Sequence, residues 1–513
     1  MAIKVSGTTV IDDSRNVTNV GNVGDSNTLY YGSAANLSGV AGGAATFTAS
    51  GAISNGDPVI VNSNGTISVP SVSAVEPPTA GSATVFESST FDYLSSTFDR
   101  TNGKVVFCYQ DLGNASRGTA IVGTVSGTSI SFGDPVVFNS DDSRYIDVVS
   151  IGNGKVVVVY RDDGNSYKGT AIVGTISGTS ISFGAESEFN SNAGNWNSVT
   201  YDSTNDKVVI AYTDTGNSSR GYAIVGTVSG TSISFGSEVQ FESGTSVEHS
   251  ATFDSTNGKV VIAYLDNSNS DKGTAVVGTV SGNSISFGTP VIFNNATTEN
   301  VTTTFDSANG KVVIAYTDNG NSWYGTAIVG TVSGTSISFG SEVVYESAST
   351  SENSIVYDSY IEKVVITYRD EGNSSYGTVI VGTVSGTSIS FGSAVVYESA
   401  NTAAQAASYD IWNQKVVIGY RDSGNSNYAT AIVTTASSTT LSNGSFVGLA
   451  AEAISNGATG SVTIAGGTNS SQSGLSTSSK LYANGDGTVS HNPSAVEAGI
   501  SVSSTEVIVK IHS

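Results

Sequence analysis

Along most of this chain apolar residues recur at every second position. In KVVIAYTD, Lys207 to Asp214, Val208, Ile210 and Tyr212 fall on one side and Val209 and Ala211 on the other. Runs of this kind, bounded by Gly, Asn, Asp and Ser, predict β-strands, and a run that is apolar on both sides predicts a strand covered on both faces. No stretch keeps a 3.6-residue apolar period, so no helix is expected.

The pattern is repeated. The KVV segment returns with its lysine at Lys104, Lys155, Lys207, Lys259, Lys311, Lys363 and Lys415, spaced 51 residues once and 52 residues five times. One unit contains NSVTYD, STND, KVVIAYTD, TGNSSRG, YAIVGTVSG and TSISFGSEVQFES. These segments are four strands with hairpin signals at D-S-x-N-G-K and at S-G-T-S. Seven consecutive four-stranded units predict an all-β fold, a seven-bladed β-propeller, with a β-solenoid as the alternative. The seventh unit lacks the fourth-strand sequence. GSATVFES, Gly81 to Ser88, matches GSEVVYES, Gly340 to Ser347, and is expected to complete the last blade and so close the ring. The glycine in A-I-V-G-T-V, Gly123 and its equivalents, is expected where neighbouring blades approach closely.

These readings divide the chain into residues 1–80, a propeller over 81–436, and residues 437–513. The flanks resemble each other: AISNG at Ala52 to Gly56 returns at Ala453 to Gly457, NSNGTIS at Asn62 to Ser68 parallels NGDGTVS at Asn484 to Ser490, and SAVE at Ser73 to Glu76 returns at Ser494 to Glu497. Two small related β modules are expected.

Composition narrows the function. With 20 Lys+Arg against 43 Asp+Glu the net charge is −23, which argues against neutralising a nucleic acid backbone. A lone Cys108 permits no internal disulfide and no cysteine-held metal. The start, MAIKVSGTTVIDDSRN, lacks the basic end and apolar core of a signal peptide, and no run reaches the 18 or so apolar residues a membrane helix needs; the expectation is a protein made in the cytosol, without membrane insertion. His249, His491 and His512 are read as loop or terminal residues; no nucleotide loop, dinucleotide fingerprint or metal motif occurs, and neither cofactor nor catalysis is expected. The repeated D-x-G-N-S, at Asp162 and its equivalents, resembles the Asp-box turn of sialidase-like propellers. It is read as an Asp fixing a turn through backbone N–H bonds, with calcium binding as the lesser alternative.

Variation among the seven copies is uneven. The second-to-third and between-unit segments, which a propeller places on one rim, change freely and collect aromatics and cations. A ligand-binding rim is expected from Trp323, Tyr324, Trp196, Tyr167, Lys168, Arg117, Arg220, Tyr376 and Tyr428, whose rings suit stacking on sugars. Arg161, Arg369 and Arg421 share one Y-R-D position in different units and are expected to be spread around the ring.

The opening IKVSGTTVIDDSRNVTNVGNV, the GTAIVGTVSGTSISFGS units and the C-terminal segment from Gly457 to Ile511 resemble tail-fibre and other virion proteins of tailed bacteriophages of marine bacteria and cyanobacteria. The resemblance implies a non-enzymatic virion protein, released by host lysis, with residues 1–80 and 437–513 attaching to other virion proteins and the propeller contacting a host surface glycan. It implies a trimer by analogy. A capsid-decorating or head spike protein without a specific ligand is the alternative, and a sialidase-like hydrolase a further one.

Overall fold

In a computed structural model of the chain, the described residues are 3–5, 8–11, 43–62, 65–69, 76–437, 446–473, 475, 479–483, 489–490 and 496–509. They form two compact units, Ser73–Thr439 and a second made of Met1–Val72 with Thr440–Ser513. Both are all-β and antiparallel; the helical turns among the described residues are short 3-10 segments such as Leu112–Asn114.

The larger unit repeats one arrangement seven times among the described residues, compatible with a β-propeller-like fold. In the first copy, Phe91–Asp99 pairs with Lys104–Asp111, which pairs with Arg117–Ser126. The outer edge is split: Ser129–Phe132 pairs with one end of the third strand and Val136–Gly152 with the other. That last strand then shifts register and continues as the first strand of the next copy, Val148 opposite Val158. The segments read from sequence as between-unit loops are therefore extended chain. Their backbone stays paired across the transition, Ser143 N donating to Ser116 O at 3.1 Å, so the polar residues there need not form a loop.

Each core cluster lies between successive copies. Val106, Cys108, Ala120 and Val122 of the first pack on Phe138, Val156, Val158 and Tyr160, which is why KVV runs are apolar on both faces. The tyrosine of each run, Tyr109, Tyr160, Tyr212, Tyr264, Tyr316, Tyr368 or Tyr420, is fully buried. In six of the seven the hydroxyl donates to a nearby glutamate, as in Tyr160 to Glu186 at 2.8 Å and Tyr212 to Glu238 at 2.7 Å. Several of the repeated lysines donate to a third-strand threonine, Lys104 Nζ to Thr124 Oγ1 at 2.7 Å.

The repeated glycines divide into two kinds. A Cβ on Gly123 would stand 2.7 Å from Ile130 Cδ1 and 2.9 Å from Phe132 Cε1 of its own outer strand, so this glycine makes room within a copy, not between copies as expected. The close approach between copies belongs to Gly133 and its equivalents, where a Cβ would stand 2.0 Å from Thr179 O of the next copy.

At the seventh copy, Tyr428–Ser437 is paired by Glu76–Ala80 and Thr84–Glu87, with Thr434 opposite Ala80 and Thr430 opposite Val85. Gly81 fits against Thr128 O as Gly133 fits against Thr179 O. Pairing begins at Glu76, ahead of the expected Gly81 to Ser88, within the larger unit Ser73–Thr439.

The smaller unit holds two five-stranded sheets. In one, the order Ala44–Thr48, Thr459–Thr463, Phe446–Ala450, Pro58–Val61, Ile67–Ser68 interleaves strands from both chain ends. The two AISNG copies bond each other reciprocally: Ile53 N to Ile454 O at 2.9 Å, Ile454 N to Ile53 O at 2.8 Å, Gly56 N to Ala450 O and Gly457 N to Ala49 O both at 2.8 Å. Both ends contribute to one compact unit, in which each AISNG copy supplies the partners the other's backbone needs. Most of the opening segment, the SAVE copies except Glu76, Val496 and Glu497, most of the NGDGTVS hairpin, and His491 and His512 lie outside the described residues.

Candidate functional site

The first strands of all seven copies surround a cavity of about 350 Å³, lined by Ser95, Asp147, Ser198, His249, Ser250, Asn353 and Gln405 among others. Its polar side chains satisfy backbone groups of the next copy. Ala251 N donates to Ser198 Oγ at 3.0 Å, Thr303 N to Ser250 Oγ at 2.9 Å and Ala407 N to Ser354 Oγ at 3.0 Å. Asp147 accepts from Ser95 Oγ at 2.6 Å and from Val199 N at 2.7 Å; burial raises its carboxyl above the usual range, and these bonds oppose the shift. Most of these polar groups hold copies together; Ser96 Oγ and Asn197 Oδ1, also in the lining, are buried without a partner.

Its mouth is built by a bulge. Where the long strand changes register, one residue per copy takes a left-handed conformation: Tyr93, Tyr145, Trp196, Glu248, Asn300, Glu352 and Ala404, with φ from 47° to 55°. Seven non-glycine residues at positive φ, one per copy, re-aim their side chains out of the ladder. They form two arcs. Tyr93 and Tyr145 lie 5.2 Å apart by ring centroid, as do Tyr145 and Trp196. On the other arc each side chain caps the next bulge: Glu248 Oε2 accepts from Asn300 N, Asn300 Oδ1 from Glu352 N at 3.1 Å, and Glu352 Oε2 from Ala404 N at 3.1 Å. Burial pushes the Glu248 carboxyl up to about 7 and raises Glu352 as well.

The aromatic arc is held from behind. Arg161 is forked onto Asp163, Nε to Oδ1 at 2.6 Å and Nη2 to Oδ2 at 2.9 Å, and its Nη1 donates to Asn195 Oδ1 at 2.8 Å. Its guanidinium lies 5.0 Å from the Tyr145 ring centroid and 5.4 Å from that of Tyr167. Arg144 bridges Asp142 and Asp163 at 3.0 and 3.2 Å. His249, read as a loop residue, is buried in the strand Val239–Asp254; its Nδ1 lies 3.0 Å from Trp196 O and its Nε2 3.0 Å from Ser246 Oγ.

Of the nine residues expected on the rim, the structure brings together Trp196, 37% exposed, and Tyr167, 54% exposed, through Tyr145 and Arg161. The others are distributed. Arg117, Lys168, Arg220, Tyr324, Tyr376 and Tyr428 each open the third strand of a different copy. Lys168 is paired with Glu188 at 2.8 Å, and Arg117 bonds Ser140 O and Asn114 Oδ1, both at 3.2 Å. Trp323, 48% exposed, belongs to the fifth copy, three copies from Tyr167. Tyr93, Tyr145 and Arg161 were not among the expected site residues; the signal for the two tyrosines was one register position, read across all seven copies, that holds Tyr, Tyr and Trp in succession, and Arg161 was noted only as one of three Y-R-D arginines. In most of the Asp-box-like turns the Asp accepts backbone N–H bonds, Asp422 Oδ1 from Gly424 N at 2.9 Å and Asn425 N at 3.2 Å, whereas Asp266 and Asp318 make no such bond. No cluster suited to a metal ion occurs among the described residues.

No known family model and no curated protein matches the chain. Solved structures similar to it include a lectin of Burkholderia pseudomallei, 8% identical, covering 68% of this chain and 97% of that one at a TM-score of 0.49. A protein of unknown function from Dyadobacter fermentans is 10% identical over 71% of this chain and 100% of its own, TM-score 0.46. A leech intramolecular trans-sialidase is 10% identical over 70% of each chain, TM-score 0.41.

Proposed function

We propose that the larger unit is a seven-bladed, non-catalytic, glycan-binding β-propeller that contacts a host surface glycan as part of a tailed-phage virion, the smaller unit attaching it to other virion proteins. The observation that carries the binding reading is the Tyr93–Tyr145–Trp196 arc, with Tyr167 fixed beside it by Arg161. Rings held in place at a cavity mouth stack on the apolar faces of sugars at little entropic cost. The pairing of Tyr428–Ser437 with Glu76–Ala80 and Thr84–Glu87 supports ring closure. A binding role is favoured over hydrolysis because Glu248, Glu352 and Asp147 all accept backbone N–H bonds from the next blade. The virion assignment rests on the resemblance of the opening and repeat sequences. On a glycan array the full chain should bind a discrete set of glycans. Trp196→Ala combined with Tyr167→Ala should weaken that binding tenfold or more, about 1.4 kcal/mol, without lowering the melting temperature. Undiminished binding by a folded double variant would refute the site.

A further inference from the structure

Three arginines share one position on the second strand, and their partners differ. Arg161 reaches Asn195 of the following copy at 2.8 Å. Arg421 reaches the Phe91 carbonyl at 3.1 Å and approaches Asp92, the residue equivalent to Asn195, at 3.8 Å. For Arg369 the equivalent residue is Ala403, which has no side-chain acceptor. Arg369 makes no ion pair among the described residues; Nη2 donates to Ser375 Oγ at 3.3 Å, and Nε is buried without a partner. Its second natural partner is also taken: Glu371, equivalent to the Asp163 that forks Arg161, is held by Ser349 Oγ at 2.8 Å and Ser351 Oγ at 2.9 Å. Ala404, beside Ala403, occupies the bulge position where every other copy places Tyr, Trp, Glu or Asn. Ala403 and Ala404 thus leave Arg369 without a side-chain partner from the next copy, and the neighbouring Arg421 is held by the Phe91 carbonyl and, at 3.8 Å, by Asp92. The acidic neighbours are Glu352, whose Oε2 accepts from Ala404 N, and Asp92.

A guanidinium nitrogen buried without a partner, as Arg369 Nε is, is costly, and a carboxylate or sulfate presents paired oxygens that satisfy two such donors at once. We propose that Arg369 and Arg421, across Ala403 and Ala404, bind an anionic group, carboxylate or sulfate, carried by a sugar of the bound glycan. This rests on the glycan-binding reading and adds its charge class. In a protein of net charge −23, selection for an acidic ligand requires such a local exception.

The test is a glycan array of the full chain on matched sets: carboxylated glycans with their carboxyl-reduced forms, and sulfated glycans with their desulfated forms. At least tenfold preference for one acidic class over its neutral form is expected, and the class preferred tells carboxylate from sulfate. Arg369→Gln should erase the preference while leaving binding to the neutral form intact. A second variant needs no arginine removed: Ala403→Asn installs the acceptor that Asn195 gives Arg161, and should abolish the preference with unchanged or higher melting temperature. Equal binding of acidic and neutral forms, or an acidic preference that survives Ala403→Asn in a folded protein, would overturn the inference and leave the aromatic site standing. Absence of binding to every form would overturn both readings.

Discussion

His249 shows how one side chain ties the site to the scaffold. Its ring is buried between Ser246 and the Trp196 carbonyl, and burial lowers its pKa from 6.5 to about 4. The neutral ring donates from Nδ1 to Trp196 O and accepts from Ser246 at Nε2, so protonation would place a charge in a buried site and force the Ser246 hydroxyl to turn from donor to acceptor. The folded pKa lies below the unfolded value, so the folded state binds fewer protons between pH 6.5 and pH 4. Stability present above pH 6.5 is lost as pH falls through that window, by up to about 3 kcal/mol. Glu248 has the opposite sign: a carboxyl pushed from 4.5 to about 7 destabilises when ionised, and that penalty fades as pH falls. The two are separable by His249→Asn, because Asn197 and Asn353 hold the same position in other copies and donate to the Tyr145 and Asn300 carbonyls, both at 3.2 Å. Denaturation at pH 7 and pH 4.5 should show the variant losing less stability in acid than the parent. Equal losses would mean that His249 is not the buried neutral base described.

At the scale of strands, the repeat is held by two devices, and they differ in how far sequence discloses them. Period-two runs, hairpin residues and the KVV spacing are local features, and each was legible. The bulge was not, because the residues that adopt its left-handed backbone are Tyr, Trp, Glu, Asn and Ala, with no glycine among the seven to mark a positive φ. The between-unit segments therefore read as loops, and Trp196 was grouped with Trp323 when its partners are Tyr145 and, through it, Tyr93. The glycines mislead in a related way: sequence marks Gly123 and Gly133 equally, but only the fold shows that the first meets its own outer strand and the second the next copy. Gly81 belongs with Gly133, since a Cβ there would stand 1.9 Å from Thr128 O. Gly81→Val should lower stability by about 1–3 kcal/mol in chemical denaturation. An unchanged midpoint would show that Glu76–Glu87 does not seat against the first copy.

Over the whole molecule, two AISNG copies 401 residues apart are joined by reciprocal bonds, and a 367-residue unit lies between them in sequence. Internal repetition is used twice, once to build a small unit and once to surround a cavity. Within the larger unit the copies are alike in their cores and unlike at one mouth, where aromatic residues gather in the first three and arginines in the sixth, seventh and second. That asymmetry is the basis for reading the mouth as a glycan site. Of the chain's three tryptophans, Trp196 alone belongs to the mouth; Trp323 lies in an exposed turn and Trp412 beyond the first strand of the seventh copy. Replacing Trp323 and Trp412 by Phe leaves Trp196 as the sole tryptophan, and titrating that variant with an array-positive glycan reads the site directly. A saturable change in Trp196 emission, with the same midpoint as binding measured calorimetrically, is the predicted result. Full binding with Trp196 emission unchanged would contradict the account.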